Sequence, residues 1–126
     1  MPSCRACVLT CMDFRIQAGV ANWLQQKGLA GKYDYLSLPG ASRNFLSEGK
    51  INLVEDSYRL HHIMEVYLIH HEDCGAYNLG HLPVEEQLAR QRQDMETAAR
   101  ILKERHPELK VCLAFLYLDG RMVELA

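Results

Sequence analysis

Apolar runs alternate with stretches of helical periodicity along the whole chain. Residues 6–10, 33–38, 66–70 and 111–118 have the length and composition of buried β-strands. Between these runs, apolar side chains recur three or four residues apart, as they do on one face of a helix. The predicted helix faces are formed by Ile16, Val20, Trp23 and Leu24, by Ile51, Val54, Tyr58, His61 and Met64, and by Val84, Leu88, Met95, Ala98 and Leu102.

Proline and glycine mark several element boundaries. Pro39-Gly40 ends the second strand, and the polar stretch after it, residues 41–50, is predicted to be a loop. Pro83 suits the first turn of the long last helix, and Pro107 predicts that this helix has ended before it.

The alternation of strands and helices predicts an α/β fold with a central, mostly parallel sheet and helices on both faces. Asp119-Gly120 predicts a hairpin turn that adds a short strand over residues 121–125. We expect the strand order 2-1-3-4, plus the C-terminal hairpin strand, in a single domain covering residues 1–126. The carboxyl ends of strands 1 and 3 then flank the crevice where ligands bind in such sheets.

Composition and charge limit the partners. Of the 126 residues, 48% are hydrophobic and 24% are charged, which is typical of a globular domain. The net charge of −2 lacks the basic footprint of nucleic-acid binding. No apolar run approaches the ~20 residues of a membrane span, and the first residues do not resemble a secretory signal. We therefore expect no nucleic-acid or membrane partner and a cytoplasmic location.

The five cysteines are Cys4, Cys7, Cys11, Cys74 and Cys112. An odd number without a secretory signal argues against a disulfide framework, which leaves metal ligands, reactive thiols or small buried side chains. Cys4 and Cys7 form a Cys-x-x-Cys pair, but Cys7 lies in the first strand and no second pair follows. We interpret both as structural, and Cys112, in an apolar strand, as a core residue.

Two segments with metal-binding residue types follow the predicted central strands. Cys11-Met12-Asp13-Phe14-Arg15 follows strand 1, and His71-Glu72-Asp73-Cys74-Gly75 follows strand 3. Zinc takes thiolate and imidazole ligands, and a catalytic zinc site uses three protein ligands and keeps one position open. Cys11, His71 and Cys74 supply that number and type of ligand.

Asp13 and Arg15 stand two residues apart and face the same side if the segment is extended. The Asp13 carboxylate could close the site as a fourth ligand. Alternatively, it could accept a hydrogen bond from metal-bound water while Arg15 holds it by a charge-assisted pair.

The paired motifs resemble those of the β-class carbonic anhydrases. The resemblance rests on Cys-x-Asp-x-Arg at residues 11–15 and His-x-x-Cys at residues 71–74. Residues 36–44 and the helix before strand 3 also fit the pattern, so the resemblance covers most of the chain.

The resemblance implies a zinc enzyme that interconverts carbon dioxide and bicarbonate through a zinc-bound hydroxide. It implies zinc ligands at Cys11, His71 and Cys74, with Asp13 and Arg15 as the catalytic dyad. It also implies a homodimer or higher homo-oligomer, because active sites in that family lie near a subunit interface.

Two features differ from the family pattern. Family members usually carry an N-terminal helical arm, whereas strand 1 here begins within ten residues of Met1, so we expect a different dimer or an incomplete active-site wall. The family often has Arg-Asn-Ala-Gly after strand 2, where this chain has Pro39-Gly40-Ala41-Ser42. Two alternatives to carbon dioxide hydration stay open: hydrolysis of carbonyl sulfide or carbon disulfide at the same zinc, and a non-catalytic zinc-binding module.

Overall fold

A five-stranded sheet runs through the computed structural model, which describes residues 2–125. The strands are β1 Ala6–Cys11, β2 Tyr33–Leu38, β3 Glu65–His71, β4 Lys110–Leu116 and β5 Met122–Leu125. The helices are α1 Gln17–Gln26, α2 Ser42–Glu48, α3 Asn52–His61 and α4 Val84–Arg105, with a single 3-10 turn at Phe14–Ile16 leading into α1.

The strand order is β2-β1-β3-β4-β5, which confirms the predicted order. The first four strands pair in parallel, and β5 returns antiparallel to β4 after the turn at Asp119-Gly120. All six residues of β1 are buried, as expected for a parallel strand covered on both faces. The carboxyl ends of β1 and β3 therefore lie side by side at one edge of the sheet.

Two apolar layers cover the two faces of the sheet. On one face, α1 buries Val20 and Leu24 against β1, β3 and β4. On the other face, Phe45 of α2, Val54 of α3 and Leu102 of α4 pack together. This arrangement confirms helices on both faces. Among the described residues, no helix is long and apolar enough to span a membrane.

The prediction of a loop over residues 41–50 is wrong, because α2 occupies Ser42–Glu48 within it. Phe45 is the one buried apolar side chain of this short helix, so no helical period appears in the sequence. Tertiary contacts of Phe45 position this helix instead.

The turn before α2 requires glycine. Gly40 has a φ of 74°, and a Cβ there would lie 3.1 Å from the Cβ of Ala76.

Candidate metal centre

Three metal-binding side chains meet at the carboxyl ends of β1 and β3. Cys11 is the last residue of β1, His71 is the last residue of β3, and Cys74 lies in the turn that follows. All three are buried, and their ligand atoms lie within 4.8 Å of one another. The two sulfur atoms are 3.8 Å apart. The structure thus brings the three predicted ligands into one cluster.

His71 has one nitrogen satisfied and one left free. Its Nδ1 lies 2.7 Å from the Glu72 carbonyl oxygen, to which it donates. Its Nε2 is buried and has no hydrogen-bond partner among the described residues. Such a buried, unsatisfied atom costs about 1–3 kcal/mol, and the pattern of one bonded N–H and one free lone pair is that of a metal-binding imidazole. The donor set of two thiols and this nitrogen fits zinc.

The two thiols of the cluster share a hydrogen bond. Donation from the Cys74 thiol holds the pKa of Cys11 below its usual value, and the same contact raises the pKa of Cys74. Backbone N–H groups also face the sulfur atoms, including that of Gly40 at Cys11 and that of Ala76 at Cys74. These dipoles favour thiolates, the form in which cysteine binds metal.

Asp13 and Arg15 form a two-pronged ion pair beside the cluster. Arg15 Nη2 lies 2.6 Å from Asp13 Oδ2, and its Nε lies 3.1 Å from Oδ1. The hydrogen bonds from Arg15 lower the pKa of Asp13 to about 2, so this carboxylate is ionised at neutral pH. Asp13 Oδ2 is also 3.9 Å from His71 Nε2, which brings the carboxylate to the edge of the cluster.

Arg15 binds a second acidic residue, Asp73, which the sequence analysis did not identify. Arg15 Nη1 donates to Asp73 Oδ2 at 3.1 Å, and Nη2 donates to the Asp73 carbonyl oxygen at 2.9 Å. The guanidinium therefore ties the segment after β1 to the turn that carries Cys74. The position of Asp73 inside the His-x-x-Cys motif was the available signal.

Two buried glutamines of α4 bind the backbone of the turn after β3, which carries Cys74. Gln91 Nε2 donates to the His71 carbonyl oxygen at 2.9 Å, and its Oε1 lies 3.0 Å from His70 Nδ1. Gln87 Oε1 accepts the Asp73 N–H at 2.8 Å. The sequence analysis missed both glutamines, which it left off the apolar stripe of the long helix. Their contacts fix the backbone on either side of the ligands.

The His70 side chain joins β3 to α2. Its Nε2 accepts the Ser42 N–H at 3.1 Å, so Nδ1 carries the proton and donates to Gln91. Complete burial lowers the pKa of His70 to about 4, which keeps it neutral.

An open pocket lies against the cluster. It is lined by residues 11–15 together with Pro39, Gly75 and Ala76. Phe14 is 86% exposed and Met12 is 59% exposed beside it, so the rim presents apolar surface to the outside. Asp13 and Arg15 supply the charged groups in this lining.

The other three cysteines lie outside this centre. Cys7 is fully buried in β1, and Cys112 is half-buried and packs on the layer that contains α1. Cys4 is half-buried just before β1. None of the three belongs to the Cys11–His71–Cys74 cluster.

Known proteins resemble this chain over nearly all its length. A family described as "Putative carbonic anhydrase" matches residues 1–124. Two uncharacterized proteins, from Rickettsia bellii and Rickettsia conorii, are each 33% identical to it over 90% of this chain, and the matches cover 76% and 67% of those proteins.

Solved structures show a shared fold. The carbonic anhydrase of Streptococcus mutans superposes with a TM-score of 0.70 at 23% identity, over 99% of this chain and 83% of that one. A β-carbonic anhydrase of Aspergillus fumigatus gives 0.64 at 13% identity, over 98% and 76%. The tetrameric β-carbonic anhydrases of Sordaria macrospora give 0.63 at 13% identity, over 100% and 82%.

Proposed function

The chain belongs to the putative carbonic anhydrase family, and we propose that it hydrates carbon dioxide to bicarbonate with a zinc ion held by Cys11, His71 and Cys74. One observation carries the proposal. A ring nitrogen of His71 lies within 4.8 Å of two sulfur atoms. The buried Nε2 of that ring has no hydrogen-bond partner among residues 2–125, and it lies beside a carboxylate that an arginine holds in place.

The three ligands set the electrostatics of the centre. Zinc, when bound, supplies a Lewis acid that lets water ionise near neutral pH. Cys11 and Cys74 bind it as thiolates, and the Glu72 carbonyl keeps His71 in the tautomer whose Nε2 is free. Thiolate ligands must stay reduced, so the proposal places the protein in the cytoplasm.

Asp13 orients the attacking oxygen. Its carboxylate is ionised and accepts the O–H hydrogen bond of the nucleophile, which turns an oxygen lone pair toward the carbon of carbon dioxide. A new C–O bond forms, the C=O electron pair moves to an outer oxygen, and the proton given up by water passes to solvent. Both Asp13 oxygens already bind Arg15, which favours this role over that of a fourth ligand.

Arg15 is a positioning residue in this proposal. Its contacts with Asp13 and Asp73 fix the carboxylate relative to the turn that carries Cys74. Its positive charge also offsets part of the negative charge of two thiolates, which would otherwise weaken the electrophilicity of the centre.

The pocket favours a small apolar substrate. Met12, Phe14, Pro39 and Ala76 supply apolar surface next to the cluster. Carbonyl sulfide is a second candidate substrate. The loop after β2 contributes Pro39 to the pocket, and this apolar surface can accept carbonyl sulfide as well as carbon dioxide, since both are small linear molecules. Sulfide release above that of a zinc-free sample supports this second substrate, and its absence removes it.

We also propose that a second copy of the chain covers the pocket. The 86% exposed Phe14 and the 59% exposed Met12 form an apolar rim that association would bury. The Sordaria macrospora relatives of the same fold are tetrameric. Light scattering on the wild type and on Phe14→Glu tests this: the wild type should be an oligomer and the variant smaller, and a monomeric wild type contradicts it.

Stopped-flow measurement of carbon dioxide hydration on zinc-loaded protein tests the activity. We expect the wild type to be active, Cys74→Ser to give only the background rate, and Cys112→Ser to match the wild type because Cys112 lies outside the cluster. A wild-type rate no higher than that of Cys74→Ser contradicts the proposal. If zinc is nevertheless bound, the non-catalytic module is then the better interpretation.

A further inference from the structure

A second group of metal-binding side chains lies at the opposite edge of the sheet. Cys4 precedes β1, Asp34 is the second residue of β2, and His61 is the last residue of α3. Their ligand atoms all lie within 4.8 Å of one another. Since β-strands rise about 3.3 Å per residue, the strand separates Cys4 from Cys11 by ~20 Å. We propose that Cys4, Asp34 and His61 form a second binding site, for a zinc-like divalent cation.

Backbone pairing explains why three distant residues meet there. Asp34 of β2 lies opposite Cys7 of β1, so the two side chains share the sheet face that α3 covers. Ser57 and His61 stand four residues apart on α3 and face Asp34 together. The Cys4 N–H donates to the His61 carbonyl oxygen at 3.0 Å, which fixes the N-terminal segment against the end of α3.

The donor atoms have the chemistry of a zinc site. Thiolate, imidazole and carboxylate are the three side-chain ligands that zinc takes in proteins. Asp34 Oδ2 accepts hydrogen bonds from Ser57 Oγ at 2.6 Å and from His61 Nδ1 at 2.7 Å. A cation would take the place of the His61 proton, while Ser57 would keep the carboxylate oriented, as partners of metal-bound carboxylates do.

Charge and access at the cluster also suit a cation. The ligand atoms of Asp34 and Cys4 lie within 4.8 Å of each other, so the negative charge of the carboxylate attracts a cation placed between them. Two basic side chains lie nearby. Arg5 is paired with Glu65 at 3.1 Å, which offsets its charge, and Lys32 lines the adjoining pocket. The side chains of His61 and Asp34 are 32% and 31% exposed, which gives an ion and a water molecule a path to the site.

A purely structural role is the competing explanation. The hydrogen bonds of Asp34 to Ser57 and His61 join β2 to α3 without any metal. The two explanations differ in one measurable quantity, the number of cations that the folded chain retains. This number does not depend on the activity proposed for the first centre.

Metal counting on the full chain separates the two explanations. The protein is dialysed against buffered Cd²⁺, which stands in for zinc, and bound cadmium is measured by elemental mass spectrometry. We expect Cys4→Ser and His61→Gln each to bind one equivalent less than the wild type. The matched controls, Cys112→Ser and His62→Asn, remove a thiol and an imidazole outside the cluster and should retain the wild-type count; asparagine tolerates the φ of 52° at His62.

Two outcomes overturn the proposal. One is an unchanged count in both Cys4→Ser and His61→Gln. The other is an equal loss in the controls, which would show unspecific thiol or imidazole binding. Circular dichroism verifies that each variant is folded before it is counted.

The ¹¹³Cd NMR spectrum of the wild type reports the ligand types without relying on variants that could lose metal by unfolding. Because cadmium shifts increase with the number of bound thiolates, the second site should give a one-thiolate resonance distinct from the two-thiolate resonance of the first. That resonance should persist in Cys74→Ser and vanish in Cys4→Ser. Its absence from the wild type also overturns the second site, whatever the result at the first centre.

Discussion

The two edges of the sheet carry similar metal-binding side chains, which differ in burial and in hydrogen bonding. At the carboxyl edge, His71, Cys11 and Cys74 are buried, and the His71 Nε2 has no hydrogen-bond partner in the part of the chain that the structure describes. At the amino edge, Asp34 and His61 are about one-third exposed and satisfy each other by a hydrogen bond. The first cluster is preorganised for a cation, whereas a cation at the second must replace a hydrogen bond.

The difference between the edges arises from their surroundings. The carboxyl edge has a further layer of polar groups, with Gln87 and Gln91 holding the backbone and Arg15 holding Asp13. At the amino edge, Ser57 is the buried group that orients the carboxylate. From this contrast we expect a cation to bind more tightly at the carboxyl edge than at the amino edge.

Replacing the histidine at each edge should give the largest difference in the rate of carbon dioxide hydration. His71→Ala removes a ligand and should reduce carbon dioxide hydration to the background rate. His61→Gln should leave the rate within about twofold of the wild type, because the edges are far enough apart to act independently. Stopped-flow assays at equal zinc loading provide the comparison, and similar losses in both variants would break it.

The two aspartates give the next largest contrast. Asp13→Asn should lower kcat/KM by about 10²–10⁴-fold, the usual effect of losing a positioned proton acceptor, while metal content is retained. Asp34→Asn should do the reverse, with full activity and the loss of the amino-edge cation. Parallel kinetics and metal analysis test both, and an Asp13→Asn variant as fast as the wild type would exclude Asp13 from the chemistry.

Gln91 tests whether the polar layer preorganises the carboxyl edge. Gln91→Ala leaves His70 Nδ1 and the His71 carbonyl without their partner, which should cost about 1–3 kcal/mol of unfolding free energy. Zinc affinity should also fall by about 10–100-fold, as for other partners of metal ligands. Gln93→Ala, at an exposed position of the same helix, is the control. Urea unfolding and chelator competition measure the two effects; equal results for both variants would refute the role of this layer.

The smallest effect is expected from Glu55, on the helix that carries His61. Hydrogen bonds from His106 and Arg105 hold the pKa of Glu55 below its ordinary value despite partial burial. The stabilisation is therefore present above the carboxyl pKa of the unfolded chain and is lost as the pH falls through the lower folded-state pKa. Glu55→Gln should cost under about 1 kcal/mol at pH 7, because the pair is partly exposed. The difference in thermal stability between wild type and variant should shrink in acid; a difference that grows in acid is inconsistent with this pairing.

The sequence predicts the carboxyl edge well for a physical reason. Strand alternation fixes a parallel order, and parallel neighbours end at the same edge, so residues following β1 and β3 must converge. Cys11 and Cys74 could therefore be placed together from position alone. The structure shows this convergence, and the metal itself stays a prediction.

Long-range packing accounts for what the sequence did not reveal. Ser42–Glu48 is helical because Phe45 enters a layer built by α3 and α4, and because His70 accepts its first N–H. The sequence interprets Cys4 through its neighbour Cys7, whereas the pairing of β1 with β2 brings Asp34 to it and the end of α3 brings His61. Neither partner lies near it along the chain.

The buried positions of α4 are Gln87, Gln91, Met95, Ala98 and Leu102. They form one stripe along a helix of 22 residues, which at 1.5 Å per residue is about 33 Å long. Gln87 and Gln91 meet the carboxyl edge, and Arg105 and His106 meet Glu55 on α3. Insertion or deletion of one residue in α4 between Gln91 and Arg105 would rotate the two ends of the helix by about 100° relative to each other. In the divergence of this lineage, we therefore expect length changes to accumulate in the loops and to be eliminated from α4, even where its outward-facing residues vary freely.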